Sequence, residues 1–294
     1  MLAQWPTPWE ARGVDWLLEP FSFGFQQRAL IGGALAALMA STVGTWLVLR
    51  GMSFFGDAFV HGVVPGVAAA FVLGQSPLLG AALAAIVMVV AIEWVQRRTP
   101  LGVDTSIGLL FVGMLALGVV ILSRLDSYAG SLTSILFGDA LGVSWSDITG
   151  QLVLLAIVLI VSLLLYRPLV VLSVNRDKAH LLGLHPRTTH AILLALIALA
   201  IIGSYQSVGT LLVLGLLIGP PAVASLLVRT IPRLMVVAAL IGVGSVWLGL
   251  TLSFYLGTAG SATMALIPVV LFFLVMGVRE LMGLIRTPRV EASV

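Results

Sequence analysis

The stretch RGMSFFGDAFVHGVVPGVAAAFVL, residues 50–73, places two ionisable side chains inside an apolar run long enough to cross a bilayer. Asp57 and His61 are four residues apart, so a helix presents them on one face. An ionisable group inside a membrane helix costs about 2.5–3.5 kcal/mol on insertion scales, and such groups usually face a cavity, a partner or a substrate path. The stretch therefore predicts a membrane span with a polar site on one face.

The residues around this pair leave two interpretations open. Pro65 lies one turn further along the same face and cannot donate to the carbonyl of His61, which becomes a third candidate ligand. Gly62 and Gly66 form a small-xxx-small pair that lets a helix or a ligand approach the backbone. In the alternative interpretation, Asp57 caps a helix that starts after residue 56, and His61 packs against a neighbouring helix.

The composition excludes an ordinary soluble protein. Of 294 residues, 60% are hydrophobic and only 9% are charged, which is typical of a polytopic membrane protein. The apolar runs are continuous rather than alternating, which favours helices over a barrel. Cysteine is absent, so no thiolate metal site or disulfide framework is available. The predicted fold class is all-α, a polytopic transmembrane helical bundle of about eight or nine spans.

The span boundaries follow from the apolar runs. Residues 1–27 combine prolines and aromatic residues with charges, which predicts an N-terminal interfacial segment. The whole chain, 1–294, is expected to be a single transmembrane domain, in which the sixth span is the shortest. The predicted spans are 29–49, 54–73, 78–96, 106–123, 149–166, 189–203, 207–228, 234–256 and 263–284.

The distribution of basic residues predicts the orientation. Alternating spans place twelve of the fifteen Lys and Arg residues on one side, and this excess marks the cytoplasmic side. We therefore expect an outside N-terminus and a cytoplasmic C-terminus in the plasma (inner) membrane. The basic residues are scattered at the ends of apolar runs rather than clustered on one face, which argues for a lipid bilayer and against a nucleic-acid partner.

Two segments carry a family resemblance. The run GDAFVHGVVPGVAAAF resembles the signature of the permease subunits of zinc and manganese ABC importers, the metal-ion ABC-3 permease family. The run SYQSVGTLLVLGLLIGPPAVA, residues 204–224, resembles the same family, with Pro221 where its pattern has alanine. The resemblance implies that Asp57 and His61 are metal ligands, and we expect Pro65, Gln206 and Pro220 to line the path.

The two adjacent prolines carry a structural expectation of their own. Pro220 and Pro221 remove donors for the carbonyls of residues 216 and 217, so the seventh span is predicted to kink or break there. Broken helices in transporters commonly line the path, which is the functional interpretation. Loose packing of a kinked helix is the alternative.

Two long connections interrupt the spans. The outer one, residues 124–147, is predicted to form either a short surface helix or a plain connector. The inner one, YRPLVVLSVNRDKAHLLGLHPRTT, residues 166–189, contains a predicted cytoplasmic coupling loop at 167–188. Its part from Asn175 to Pro186 resembles the segment that family members press into an ATPase subunit. The expected coupling residues are Arg176, Asp177, Gly183 and Leu184.

The other ionisable residues near the spans have local explanations. Asp104 is expected to N-cap the fourth span, and Glu93 to form an i, i+4 salt bridge with Arg97. The remaining histidines are expected to be solvated or to lie at helix ends rather than to bind metal: His180, His185 and His190.

The chain lacks the phosphate-binding loop that an ATPase of this kind needs. Its only lysine, Lys178, does not belong to a G-x-x-x-x-G-K-[ST] loop, so the chain by itself is not expected to be an enzyme. The resemblance implies a permease subunit with no permanently bound cofactor that transports a zinc or manganese ion. Its implied partners are a second permease copy, a separate ABC ATPase and an extracytoplasmic metal-binding protein. The alternative is a secondary ion-coupled or proton-coupled transporter.

Overall fold

The computed structural model describes residues 15–100, 102–123, 142–174 and 183–286. Within these ranges the secondary structure is helical, and no strand is present. A short 3-10 turn, Glu19–Ser22, separates the first two helices. The helices are α1 Asp15–Leu18, α2 Gly24–Leu49, α3 Ser53–Gly62, α4 Val64–Val72, α5 Pro77–Arg98, α6 Val103–Leu122, α7 Trp145–Leu164, α8 Tyr166–Val174, α9 Pro186–Leu227, α10 Ile231–Leu256 and α11 Gly260–Arg286.

The helix α9 is two membrane helices in succession. A straight helix of its 42 residues would be about 63 Å long, roughly twice the hydrocarbon thickness of a bilayer. The chain leaves the helical conformation at Gly209, whose φ is 76° and ψ is 164°. We call Pro186–Ser204 the first arm of α9 and Leu212–Leu227 the second arm.

Contacts at the two ends of the bundle show that the arms run in opposite directions. Nη1 of Arg50, at the end of α2, lies 2.9 Å from Nδ1 of His190, so the first arm starts at that end. At the other end, Gln151 donates to the carbonyl of Gly203 over 3.3 Å. The second arm returns, because Ala224 packs with residues 49 and 234 near the end of α2. The chain therefore reverses around Gly209.

The number of spans agrees with the expectation. Eight helices of the described chain are long and apolar enough to cross a bilayer, and the second arm of α9 is a ninth, shorter apolar helix. The predicted helical bundle of eight or nine spans is thus confirmed. The expectation that the sixth span is the shortest is wrong, because the first arm extends from residue 186 to 204 whereas the second arm covers only 212–227.

The break expected at the two prolines of the seventh span is absent, whereas the reversal lies near the predicted boundary between the sixth and seventh spans, residues 203–207. Pro220 and Pro221 lie inside the second arm, and the break is at Gly209. Proline removes a hydrogen bond, but its fixed φ is helical, whereas a φ near 76° with extended ψ is essentially restricted to glycine. The carbonyl of Leu217, which Pro221 leaves without a donor, lies against Gly44 of α2. A Cβ atom at Gly44 would collide with that oxygen.

The helix α2 forms the centre of the bundle and packs against both arms of α9, α7 and α10. Small residues on several faces allow this close packing. An added Cβ atom would meet a side chain of α10 at Gly33 and the backbone of α9 at Gly44. Substituting these glycines would separate the helices around the core.

The predicted second span is interrupted. The helix α3 ends at Gly62 and α4 begins at Val64, and Val63 between them keeps a right-handed conformation with φ −86° and ψ −12°. Pro65 lies in the first turn of α4, where its missing N–H has no helical acceptor to lose. The two helices therefore cross as one span with a local break beside His61.

The first membrane helix starts earlier than predicted. The helix α2 begins at Gly24, so residues 24–27 belong to it rather than to an interfacial segment, and residues 1–14 lie outside the described chain. The interfacial prediction for 1–27 was based on prolines, aromatic residues and charges, but within α2 Gln26 is buried and Gln27 donates to the carbonyl of Phe21. The preceding turn is held against α10, because the Tyr255 hydroxyl donates to Glu19 over 2.9 Å.

The two ends of the bundle differ in charge. At one end Arg28 donates to the carbonyl of Val143, and it is the only described arginine there. We call the opposite end the basic end. Its described arginines are Arg50, Arg97, Arg98, Arg167, Arg187, Arg229, Arg233, Arg279 and Arg286.

Candidate metal site

Asp57 and His61 face each other on α3. Asp57 Oδ1 lies 3.6 Å from His61 Nε2, and the side chains are 38% and 30% exposed. Asp57 is the fifth residue of α3, whose N-cap is Met52, so the alternative that Asp57 caps a helix is wrong. The predicted pair on one helix face is present.

The separation of these two atoms fits a shared ion better than a hydrogen bond. At 3.6 Å the gap exceeds the range of about 2.7–3.2 Å for an N–H···O bond. Two ligand atoms bound to one tetrahedral zinc ion at about 2.0–2.1 Å stand about 3.4 Å apart. A small change in either side chain would therefore let one ion touch both atoms.

The pair supplies an incomplete coordination shell. No group of three or more His, Asp or Glu residues that could hold a metal is found in the described part of the chain. One carboxylate and one imidazole are too few for a closed four-ligand site. Other ligands must come from water, a backbone carbonyl or another chain.

Asp57 lies at the edge of a groove of about 730 Å³, which is formed with the second arm of α9 and with α11. The wall is apolar, and among the described residues Asp57 is the only ionisable one that lines it. Gly215 and Gly219 of the second arm bring α11 close, because Cβ atoms there would meet Ala265 and Pro268. The other lining residues are Leu214, Ile218, Ala222, Ala262, Leu266, Val269, Phe272 and Phe273.

The glycines next to the pair serve helix packing. A Cβ atom at Gly62 would meet the sulfur of Met88, and one at Gly66 would collide with the carbonyl of Gly80. Both contacts are with α5. Pro65 is buried, and α6 approaches it at Gly118. The structure thus places Pro65 at a helix interface and not in the groove.

The two expected path residues of α9 lie apart from the pair. Pro220 is buried and lies near Gly242 of α10, whereas neighbouring residues of the same arm line the groove. Gln206 belongs to α9 just before Gly209, and its side chain lies outside the described residues. Pro65, Gln206 and Pro220 as pathway residues remain predictions.

The predicted coupling loop is described in part. The helix α8 forms the first part of this loop, and its Leu169 and Leu172 are buried. Gly183 is exposed with a φ of 70°, and Leu184 is half-buried directly before α9. These two residues lie at the basic end. Arg176 and Asp177 fall outside the described residues. Residues 124–141 of the predicted outer loop, 124–147, also fall outside them.

One histidine differs from its prediction. His190 lies near the start of α9 as expected, but it is 1% exposed rather than solvated. Arginine can only donate, so Nδ1 of His190 is the acceptor in its 2.9 Å contact with Arg50. A partner 140 residues away in sequence explains the burial. His185 is exposed, and His180 lies outside the described residues.

Of the two remaining predictions for ionisable residues, one is confirmed and the other is wrong. The expected salt bridge is confirmed, with Glu93 Oε2 3.6 Å from Arg97 Nη2. Asp104 is not the N-cap of α6, which is Gly102. Because α6 starts at Val103, one residue before Asp104, this carboxylate lies in the first turn, where it interacts favourably with the positive end of the helix dipole.

Sequence reasoning missed the residues that surround the pair. Phe111 of α6 lies 5.9 Å from His61 between ring centroids, in an edge-on arrangement, and no polar pattern marks it. One sequence pattern could have predicted part of the groove wall. Gly215 and Gly219 form a small-xxx-small pair of the kind that brings membrane helices together.

Comparisons with known proteins agree with this architecture. The family model described as "ABC 3 transport family" matches residues 22–279. The chelated iron transport system membrane protein YfeD of Yersinia pestis is 35% identical over 257 residues, which cover 87% of this chain and 86% of that protein. The manganese transport system membrane protein MntC of Listeria innocua is 33% identical over 252 residues, which cover 86% and 90%.

A solved structure is similar over nearly the whole fold. The structure titled "PsaBC from Streptococcus pneumoniae in complex with Fab" superposes with a TM-score of 0.78 at 28% identity, covering 90% of this chain and 95% of that one. The family match spans most of the chain, and relatives above 30% identity cover most of both sequences. The chain therefore belongs to the ABC 3 transport family.

Proposed function

We propose that this chain is the membrane permease subunit of an ABC importer that moves a divalent transition metal ion across the plasma membrane, with Asp57 and His61 as transient ligands. The observation that carries the proposal is the 3.6 Å gap between Oδ1 and Nε2 beside an apolar groove. Weak, incomplete coordination suits a conduit, since conduction needs binding strong enough for entry and weak enough for release.

The transported metal is one of a small group. Imidazole favours zinc, copper, iron and nickel, while carboxylate and water favour manganese, so a mixed pair accepts several first-row ions. One relative is named for manganese transport and another for chelated iron transport. These names support manganese and iron beside the zinc and manganese expected from the motif. The ion is cargo, and we propose no permanently bound cofactor.

A second copy of the chain would complete the site. Asp57 is 38% exposed in an apolar groove, and without a covering surface its carboxylate would face lipid at high cost. A two-fold related copy of the same single permease domain supplies such a surface. Native mass spectrometry of the purified permease should give twice the mass of one chain, and a monomer would contradict this part.

The energy source lies in another subunit. Membership of an ABC transport family supports ATP-driven import over the alternative of a secondary transporter. We propose a separate ATPase that docks at Gly183 and Leu184 on the basic end, together with Arg176 and Asp177. We also propose an extracytoplasmic metal-binding protein that docks at the opposite end. The chain itself would then carry the path rather than the hydrolysis.

Uptake of radioactive Mn²⁺ tests the proposal in cells that produce the permease with its ATPase and binding protein. Asp57→Asn and His61→Ala should each reduce uptake to background, because each removes one of the two side-chain ligands that the described chain supplies. Asp104→Asn changes the same residue type as Asp57→Asn at an exposed position outside the groove and the coupling loop, and it should leave uptake unchanged. Wild-type uptake by Asp57→Asn and His61→Ala at normal protein levels would refute the ligand assignment.

A further inference from the structure

The imidazole of His61 is not held by a hydrogen bond in the described part of the chain. Its ion-pair partner among the described residues is Asp57, at 3.6 Å. A metal-binding histidine normally donates its second ring N–H to a carboxylate, carbonyl or water, and this partner fixes the ring. Rotation about the bond between the Cβ atom and the ring is otherwise broad. Among the described residues, the contact that can limit this rotation is an aromatic one.

Phe111 of α6 provides that contact. Its ring centroid lies 5.9 Å from that of His61 with an interplanar angle of 60°. The ring centroid of Phe54, two helical turns before His61 on α3, lies 5.8 Å from that of Phe111 at 80°. Both distances and angles fall in the preferred range for edge-on aromatic pairs. Phe111 therefore contacts both rings of α3, and its contact with His61 limits the orientations of the imidazole.

The contact comes from a helix that does not line the groove. Asp57 faces α9 and α11, whereas His61 has α6 beside it. The helix α6 approaches this span again at Gly118, next to Pro65. Phe111 is therefore a contact of the imidazole that lies outside the groove wall.

We infer that Phe111 is a positioning residue that holds the His61 imidazole with Nε2 toward Asp57, so that one metal ion can bind both side chains. The inference rests on the proposed function, because it assigns a role toward the metal that Asp57 and His61 bind. Phe111 replaces the usual polar support of a metal-binding histidine by an aromatic one. It does not touch the ion.

Mn²⁺ binding to the purified full-length permease tests the inference. Titration followed by the electron paramagnetic resonance of free Mn²⁺ gives the affinity, and pulsed resonance detects imidazole nitrogen bound to the ion. Phe111→Leu should weaken binding about tenfold, the low end of the range for losing support of a metal ligand, and reduce the nitrogen coupling. Phe111→Tyr keeps the ring and should retain both.

Controls separate this inference from the proposed function. Phe71→Leu removes a ring that is 60% exposed on α4 and should leave binding unchanged. If His61→Ala loses binding while Phe111→Leu keeps it, the positioning role is wrong and the ligand assignment stands. If His61→Ala keeps Mn²⁺ and its nitrogen coupling, the ligand assignment is wrong instead.

A packing role for Phe111 is also distinguishable. Phe111→Met serves as a second variant if Phe111→Leu gives poorly folded protein, because methionine retains apolar bulk without a ring. Equal loss of affinity in Phe111→Tyr and Phe111→Leu would show that packing volume and not the ring matters, and would overturn the inference. Loss in the leucine and methionine variants with rescue by tyrosine supports it.

Discussion

Two histidines of this chain stand next to a charged residue, and the difference between them separates chemistry from structure. His61 and Asp57 lie one turn apart on a single helix, half-exposed, with 3.6 Å between their facing atoms. His190 and Arg50 join two helices, and His190 is buried with a 2.9 Å contact. The gap between Asp57 and His61 leaves room for an ion. The contact between Arg50 and His190 instead joins α2 to α9 at the basic end.

The largest effect on folding is expected from His190→Ala. The change removes the acceptor for Arg50 at a buried position, and a hydrogen bond to a charged group contributes about 1.5–3 kcal/mol. We expect a lower apparent melting temperature in detergent and less folded protein. His61→Ala is the matched control and should melt close to the wild type. Equal destabilisation by both substitutions would remove the distinction between the two histidines.

A smaller, specific effect is expected from Leu184→Asp. Leu184 lies directly before α9 at the basic end, and a carboxylate there should weaken docking of the ATPase without disturbing the metal ligands. ATPase activity and uptake should fall together, while Mn²⁺ binding to the purified permease should not change. Ser76→Asp adds the same charge at an exposed turn of the opposite end and should leave coupling intact. Normal coupling in Leu184→Asp would contradict the docking assignment.

The smallest effect on the protein is expected from single cysteines that report which end is cytoplasmic. The chain has no cysteine, so Ser76→Cys and Gly102→Cys provide unique labels at exposed turns of the two ends. A membrane-impermeant maleimide should label Ser76→Cys in intact cells and label Gly102→Cys only after the membrane is opened. The reverse pattern would place the basic end outside and, with it, the C-terminus.

Local sequence patterns were sufficient for the helices and for the pair. Continuous apolar runs predicted the membrane helices because length and hydropathy are local properties. The four-residue spacing predicted that Asp57 and His61 share a face, because helix geometry fixes it. The sequence pattern of the family connected the same two residues with metal transport.

Features that depend on distant partners were not predictable. The burial of His190 depends on Arg50, and the orientation of His61 depends on Phe111 from a different helix. The reversal at Gly209 lies close to the predicted boundary between the spans 189–203 and 207–228, but the break expected at Pro220 and Pro221 is absent. A proline always lacks the N–H donor, so its effect can be expected from the sequence alone. The backbone angles of a glycine depend on how the two arms pack, and the sequence does not give them.

The most direct measurement is the position of Zn²⁺ in crystals of the permease soaked with the ion, located by its anomalous scattering. We predict a peak at about 2.0–2.2 Å from both the Asp57 carboxylate and Nε2 of His61, with the remaining ligands from water, backbone or the second copy. The peak should disappear in His61→Ala. Zn²⁺ bound elsewhere in the chain, with Asp57 and His61 both free of metal, would contradict the assignment of this pair as the metal site.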